Sequence, residues 1–406
     1  MKRVLSIALG ILTATGGFLD AGAISTAGAA GANFGLGLVW AMLLGTFAVM
    51  MLVEMSGRLA AVSGKTYADA IRERFGFKFY LLPLGSDLLA NVFLLAADIG
   101  GMAIALSLLT GANWHTLVPL TALIVWLLVW RAPFGLIENG PSLLGLVTVS
   151  FVVAVFALGG PSADLVETLT RPRVPEGDLA EYLFLAAAIL GAVASPYLLF
   201  FYSSGAREER WSRRSLGVNR ITAVLGMGFG SVSAIALIVL SAIVLGPLDI
   251  AGGTLNEIGL GMSAALGSVG GVLFAVGLLA ACLGAALEIS LSVGYNIAQG
   301  FGWEWGETKP VARAARFNLV MTVYLVLGLG AALLGGDPLQ LALFGSAFTA
   351  LILPISLLPF LVVMNDAEYL DDRTNGTAAN VALLVVLGIA FVVAVVSMPL
   401  LLLSGG

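Results

Sequence analysis

The sequence predicts an all-α polytopic membrane protein of eleven transmembrane helices, built as a 5+5 inverted repeat plus one extra helix, with helices 1 and 6 broken. Composition is the first observation behind this: 59% of the 406 residues are apolar and only 11% are charged, too few polar groups to cover a soluble globule of this size. The second is a series of apolar stretches long enough to cross about 30 Å of hydrocarbon, beginning near Val4, Gly35, Phe79, Thr116, Leu143, Tyr182, Ile221, Met262, Leu319, Leu339 and Ala378. The third is a pair of interruptions in equivalent positions of the two halves, around Asp20 and around Pro196.

Taken in order, Met1-Lys2-Arg3 leads into an apolar run longer than a signal peptide, with no extended polar domain behind it. The run is therefore expected to be retained as the first span. Within it, Gly16-Gly17-Phe18-Leu19-Asp20-Ala21-Gly22-Ala23 places a carboxylate at bilayer depth, where insertion costs roughly 2.5 to 3.5 kcal/mol and such groups usually face a cavity or a cation. Between spans two and three, Lys65 to Phe75 has helical spacing with a mixed charged face, the pattern of a short interfacial helix. The longest loop, Gly159 to Glu181, is polar and contains proline. It divides the chain into a first repeat over 1–160, a loop over 161–180, a second repeat over 181–364, and an eleventh span with the C-terminus over 365–406. In the sixth span Ala194-Ser195-Pro196-Tyr197 breaks the helix, because Pro196 lacks an amide donor and its ring clashes with the preceding turn. Broken first helices of inverted repeats commonly build a transporter's binding site from freed carbonyls.

Charge orients the bundle. The loops after even-numbered spans carry Arg207, Arg210, Arg213, Arg214, Arg220, Lys309, Arg313 and Arg316, besides the Arg58 to Lys78 cluster. Of the 19 Lys and Arg residues only Arg171 and Arg173 fall on the other side. The positive-inside rule then places the N-terminus in the cytoplasm and the C-terminus outside, in a multi-pass protein of the cell (plasma) inner membrane. One cysteine, Cys282, lies in an apolar segment, which leaves no intramolecular disulfide and argues against a thiolate metal cluster.

Each intramembrane polar residue has a functional and a structural reading. Asp20 suits a cation site, and equally a cap on exposed helix amides. Asp98 suits a relay acid or a buried acid bonded between helices, and Glu288 suits an accessory cation or pathway position. Glu54 and Arg58 are spaced for a helix-surface ion pair, while Asp87 lies early enough in its span to be solvated. Ser195 suits ligation beside Pro196 or tight helix packing, and Tyr197 suits either a hydrated ion or the cavity wall. Asn33 and Ser346 are weaker polar candidates. His115, following Trp114 in a short loop, reads as an interface anchor.

These residues resemble the Nramp family of divalent metal transporters, whose LeuT-type fold (APC superfamily) carries an Asp-Pro-Gly-Asn break in helix 1 and a Met-Pro-His break in helix 6. Asp20-Ala21-Gly22-Ala23 stands in the place of the first motif, and Ala30-Gly31-Ala32-Asn33-Phe34-Gly35 follows at the family's spacing for Ala-Gly-Ala-Gln-Phe-Gly. Similarity continues through Gly57-Arg58-Leu59, Ser63-Gly64-Lys65, Ala96-Ala97-Asp98-Ile99-Gly100, Leu278-Leu279-Ala280-Ala281, Gln299-Gly300-Phe301, Pro354 and Pro359, from about residue 14 to residue 364. The resemblance implies metal contacts from Asp20, Ala23, Ala192 and Ser195, with Tyr197, Asp98, Glu288 and Ser346 lining the site or pathway. Departures matter as well: the family's Asn is Ala23, its helix-6 Met and His are Ser195 and Tyr197, and an acid one turn after Asp98 is Gly101. Loss of the thioether favours hard cations such as Mg2+ over softer ones. The pattern is most similar to the divergent Nramp-related magnesium transporters.

The expected activity is therefore alternating-access movement of Mg2+, Mn2+ or both, with proton coupling weak or absent, no cofactor, and the lipid bilayer as the other partner. The alternatives are an ordinary proton-coupled Mn2+/Fe2+ importer and a carrier of the same fold for amino acids or organic cations. Against the last, Phe18 is the sole aromatic residue beside Asp20. An enzyme is not expected, since neither a Gly-x-Gly-Asp motif nor a His-Glu-x-x-His helix is present, and nothing suggests nucleic-acid binding. Small residues such as Gly267 to Gly271 serve contacts within a bundle and between subunits alike, so they define no oligomeric state.

Overall fold

The computed structural model describes residues 18–131, 146–171, 178–306, 309–310 and 312–404. Fifteen α-helices are numbered here. The first half holds α1 (Ala21–Phe34), α2 (Val39–Ser63), α3 (Tyr67–Phe75), α4 (Phe77–Thr110), α5 (Trp114–Arg131), α6 (Val149–Ala157) and α7 (Ala163–Glu167). The second holds α8 (Leu179–Val193), α9 (Tyr197–Glu208), α10 (Leu216–Val244), α11 (Leu255–Gly300), α12 (Ala315–Leu334), α13 (Pro338–Met364), α14 (Ala367–Leu370) and α15 (Thr377–Ser404). Nine helical segments among the described residues are long and apolar enough to span a bilayer, with α8 and α9 counting as one. The expected span starts near Val4 and Leu143 lie outside the described residues.

Glycine and alanine let α1 sit at the centre. It packs against α10, α8, α13, α11 and α4, and twelve of its fourteen residues are buried. Close approach explains the composition: a Cβ on Gly31 would stand 2.1 Å from the carbonyl oxygen of Ile238 on α10, and one on Gly191 of α8 would stand 1.8 Å from that of Ser346 on α13. Small residues replace hydrophobic pressure as the means of helix association in lipid.

Three expectations change. The segment Lys65 to Phe75 does form a helix, capped by Thr66, but Tyr67, Ala68, Ala70 and Ile71 are buried against α4, α9, α11 and α13. Its apolar stripe thus faces protein and not lipid, while Glu73 and Arg74 are exposed. Gly267 is not a bundle contact. Its φ of 63° and ψ of −150° break α11, a conformation that favours glycine, and the two arms fold so close that a Cβ on Gly270 would lie 1.9 Å from the carbonyl oxygen of Met262. His115 lies within the first turn of α5 instead of a loop, its ring 3.7 Å from that of Trp114.

Candidate functional site

Both helix interruptions are present and face one another across the centre of the bundle. Residues Leu19 and Asp20 are non-helical, with Asp20 extended at φ −126° and ψ −177°. Its Oδ1 accepts the amide of Ala23 at 2.6 Å, so this carboxylate caps α1 where four amides lack helical partners. On the other side α8 ends at Val193 and α9 starts at Tyr197, leaving Ala194, Ser195 and Pro196 between them.

Gly22 is where the two breaks meet. A Cβ there would stand 2.7 Å from Ser346 Oγ, 3.1 Å from Asp20 Oδ1 and 3.6 Å from the Ala192 side chain. Three of the expected site residues therefore border one small space, and Ser346 Oγ is buried without a hydrogen-bond partner. Ser195 donates its hydroxyl to the Gly191 carbonyl at 2.9 Å or the Ala192 carbonyl at 3.2 Å, which leaves its lone pairs available to a cation. Ala23 is less available, since its amide is held by Asp20 and its carbonyl accepts from Thr26 Oγ1 at 3.2 Å.

The acids converge from separate helices. Asp98 on α4 accepts the Ala21 amide on Oδ1 at 2.9 Å, while its Oδ2 is buried without a partner. It therefore holds the broken turn in place, with the Cys282 thiol as its other side-chain neighbour. Glu288 on α11, 8% exposed, lies within electrostatic range of both Asp98 and Tyr197. The Tyr197 hydroxyl reaches Asp20, and its carbonyl accepts from Ser292 Oγ at 2.9 Å. A cation seated among these groups is stabilised by several carboxylates in a medium that screens them weakly. Among the described residues, no cluster of three or more His, Cys, Asp or Glu side chains forms a resident metal centre.

One neighbour escaped the sequence reading. Cys282 on α11 lies beside Asp98, with its Sγ 2.6 Å from the place of a Cβ on Gly101. Nothing in its apolar flanks signals this, because the contact joins two helices far apart in the chain. Asp87 is a correction. It is fully buried, not solvated, because α4 already starts at Phe77 and so carries it about 15 Å along the helix into contact with α11.

Among the described residues, hydrogen bonds join the helices on either side of the two breaks. At the basic end Ser56 donates to the Leu199 carbonyl at 2.8 Å, the Tyr67 amide to Ser203 Oγ at 3.1 Å, and Gln299 to Ser204 Oγ at 2.8 Å. The Tyr67 hydroxyl donates to the Ser356 carbonyl. The expected Glu54–Arg58 pair forms at 3.2 Å, and Arg58 also reaches Asn375 Oδ1 at 2.7 Å. At the opposite end Asn33 donates to Glu181 at 2.8 Å, the Leu36 amide to Thr168 Oγ1 at 3.0 Å, and Trp40 to the Tyr182 hydroxyl at 2.9 Å. Asp20 and Ser195 are each 1% exposed.

Known proteins resemble this chain over most of its length. The family profile "Natural resistance-associated macrophage protein-like" (Nramp) matches residues 10–400. The divalent metal cation transporter MntH of Erwinia tasmaniensis is 24% identical over 378 residues, covering 88% of this chain and 86% of that protein. Among solved structures, the Eremococcus coleocola manganese transporter superposes with a TM-score of 0.74 at 21% identity, covering 97% of this chain and 85% of that one. Mhp1, a nucleobase-cation-symport-1 family transporter, superposes with a TM-score of 0.63 at 15% identity, covering 98% and 92%. The fold is the LeuT type.

Proposed function

The chain belongs to the Nramp family, and from that premise we propose that it is a membrane transporter that moves divalent metal cations by alternating access around Asp20. The observation that carries this reading is the meeting of the two helix breaks at Gly22, with Asp20, Ser346 and Ala192 around it. Two of the named proteins are described as a divalent metal cation transporter and a manganese transporter, and the third as a nucleobase-cation-symport-1 family transporter. The basic end, rich in arginine, faces the cytoplasm of a cell whose inner membrane holds the protein, and cations enter toward it.

The preferred cargo is a hard, partly hydrated ion, with Mg2+ the first candidate and Mn2+ the second. Asp20, Ser195, the Ala192 carbonyl and Ser346 supply oxygen alone, the donor set that suits ions reluctant to shed water. Proton coupling is weak or absent. No histidine stands at the α8–α9 break, and Cys282 fills the space an acid at position 101 would need. The test is uptake of Mg2+ and Mn2+ into proteoliposomes with an internal pH dye. Cation entry without matching acidification is expected. Silence for both metals would sink the metal reading, and stoichiometric acidification would sink the uncoupled one.

A second reading rests on Cys282, whose sulfur lies beside Asp98 and within reach of a softer ion favoured by thiolate chemistry. Cys282→Ser separates the two. With oxygen-only ligation, Mg2+ and Mn2+ transport each change less than about threefold. A loss of Mn2+ transport of about 100-fold or more with Mg2+ spared, beyond the cost of losing a group that only supports a ligand, would instead establish the thiol as a ligand.

A further inference from the structure

We propose that a cavity at the basic end, between α2, α10 and the start of α15, holds the headgroup of an anionic phospholipid, a phosphodiester of the phosphatidylglycerol class. Its volume is about 550 Å3. Arg58 on α2, Arg220 on α10 and Arg373 ahead of α15 line it together with Glu54 and Asp372. Met51, Glu54, Met55 and Arg58 recur every three or four residues, so α2 presents them to the cavity on one face. Asn219 on α10 donates to the Glu54 carbonyl at 2.8 Å, which pins the two helices together beside it. Arg58 reaches across, donating to the Arg373 carbonyl and to Asn375 Oδ1 at 2.7 Å, and so holds the segment ahead of α15 as the third wall.

Charge identifies the class of occupant. Glu54 pairs with Arg58 at 3.2 Å, Asp371 with Arg213 at 2.7 Å, and Asp372 with Arg213 at 3.2 Å and Arg373 at 3.3 Å. Those acids and arginines balance. Arg220 is exposed, and none of the ion pairs among the described residues includes it. The cavity is left with one uncompensated positive charge, which one phosphodiester neutralises. A phosphate monoester would bring close to two negative charges and overshoot.

The rest of the lining suits a lipid more than a free anion. Met51, Met55, Leu216 and Ala379 give the cavity apolar walls. On α2 the exposed Phe47 and Leu43 continue the face of Met51 one and two turns further into the membrane, a track along which acyl chains lie while the phosphate reaches Arg220. Thr374 adds a hydroxyl donor. Basic pockets between spanning helices on the cytoplasmic side are where such headgroups bind. A lipid seated here joins α2, α10 and α15, and α2 packs in turn on α8 and α9, the two arms of the second break. Binding needs only the membrane embedding of these helices and not the proposed cargo.

The experiment is native mass spectrometry and thermal unfolding of the delipidated full-length protein in detergent, titrated with phosphatidylglycerol, phosphatidylcholine or inorganic phosphate. One tightly held phosphatidylglycerol per chain and a saturable rise in unfolding temperature are expected, reproduced by neither of the other two. Arg220→Gln should weaken the apparent affinity about fivefold, the effect of one basic residue beside anionic lipid, while Arg220→Lys keeps it. Gly217→Trp fills the cavity from a Cβ position with nothing within 4 Å, and should weaken binding without altering any charge. Arg214→Gln removes an exposed arginine of the same end that does not line the cavity, and should change nothing. Because Arg220 is exposed, its variants decide even where Gly217→Trp fails to fold. Equal stabilisation by phosphatidylcholine, affinity unchanged in Arg220→Gln, or an equal loss in Arg214→Gln would overturn the site. Saturable inorganic phosphate binding that competes with the lipid would overturn the lipid as its occupant.

Discussion

Asp20→Asn is expected to abolish divalent cation uptake while leaving the protein folded. The substitution keeps a side-chain oxygen that can accept the Ala23 amide, now 2.6 Å from Oδ1, so the cap on α1 survives. It removes the one carboxylate placed at the break itself. Altering a residue that merely supports a metal ligand typically costs 10- to 100-fold, and loss of the ligand must cost more. Uptake should therefore fall by about two orders of magnitude or more. Asp20→Ala loses the cap as well and should be less stable than Asp20→Asn by about 1 kcal/mol. Flux assays in proteoliposomes and thermal unfolding in detergent read the two effects separately. Transport by Asp20→Asn at near wild-type rate would remove Asp20 from the site and with it the proposed mechanism.

Gly191→Ala should be the most damaging single-methyl change in the bundle. The added Cβ would lie 1.8 Å from the Ser346 carbonyl oxygen and 2.7 Å from the Ala350 amide nitrogen. Both are backbone atoms of α13, and neither can rotate aside as a side chain would. Overpacking a core commonly costs 1 to 3 kcal/mol, and a clash with two main-chain atoms should reach about 3 kcal/mol or more. Separation of α8 from α13 also shifts Ser346 and Ala192, two walls of the site, so surviving protein should transport poorly. Gly388→Ala on α15 is the matched control, because nothing lies within 4 Å of its Cβ position, and it should be neutral or slightly stabilising. Equal yield and melting temperature for the two variants would refute the close packing of α8 on α13.

The span starts that fall on described residues, the Pro196 break and the break at Asp20 were legible because each rests on local chemistry. Apolar length, a missing amide donor and a carboxylate at depth are properties of a few neighbouring residues. The ion pair of Glu54 with Arg58 was legible for the same reason, since i to i+4 spacing brings the two together on any helix. Tyr197, Glu288 and Asp98 were named singly from sequence. That they share one region with Asp20 depends on how α4, α9 and α11 pack around α1. Asp98 shows the limit well, for its bond to the Ala21 amide spans seventy-seven positions of chain.

Asp87, Cys282 and the kink at Gly267 were misread or missed because their meaning depends on what packs against them. By itself the sequence determined that the chain crosses the membrane many times, where two of its helices break, and which acid stands at the first break, since hydrophobic length and backbone donors act locally. Only the tertiary structure decided which side chains surround Gly22. It also buried Asp87 against Asn296. Helix contacts in lipid are selected by close fit between small residues on distant segments, and that fit exists only once the bundle is assembled.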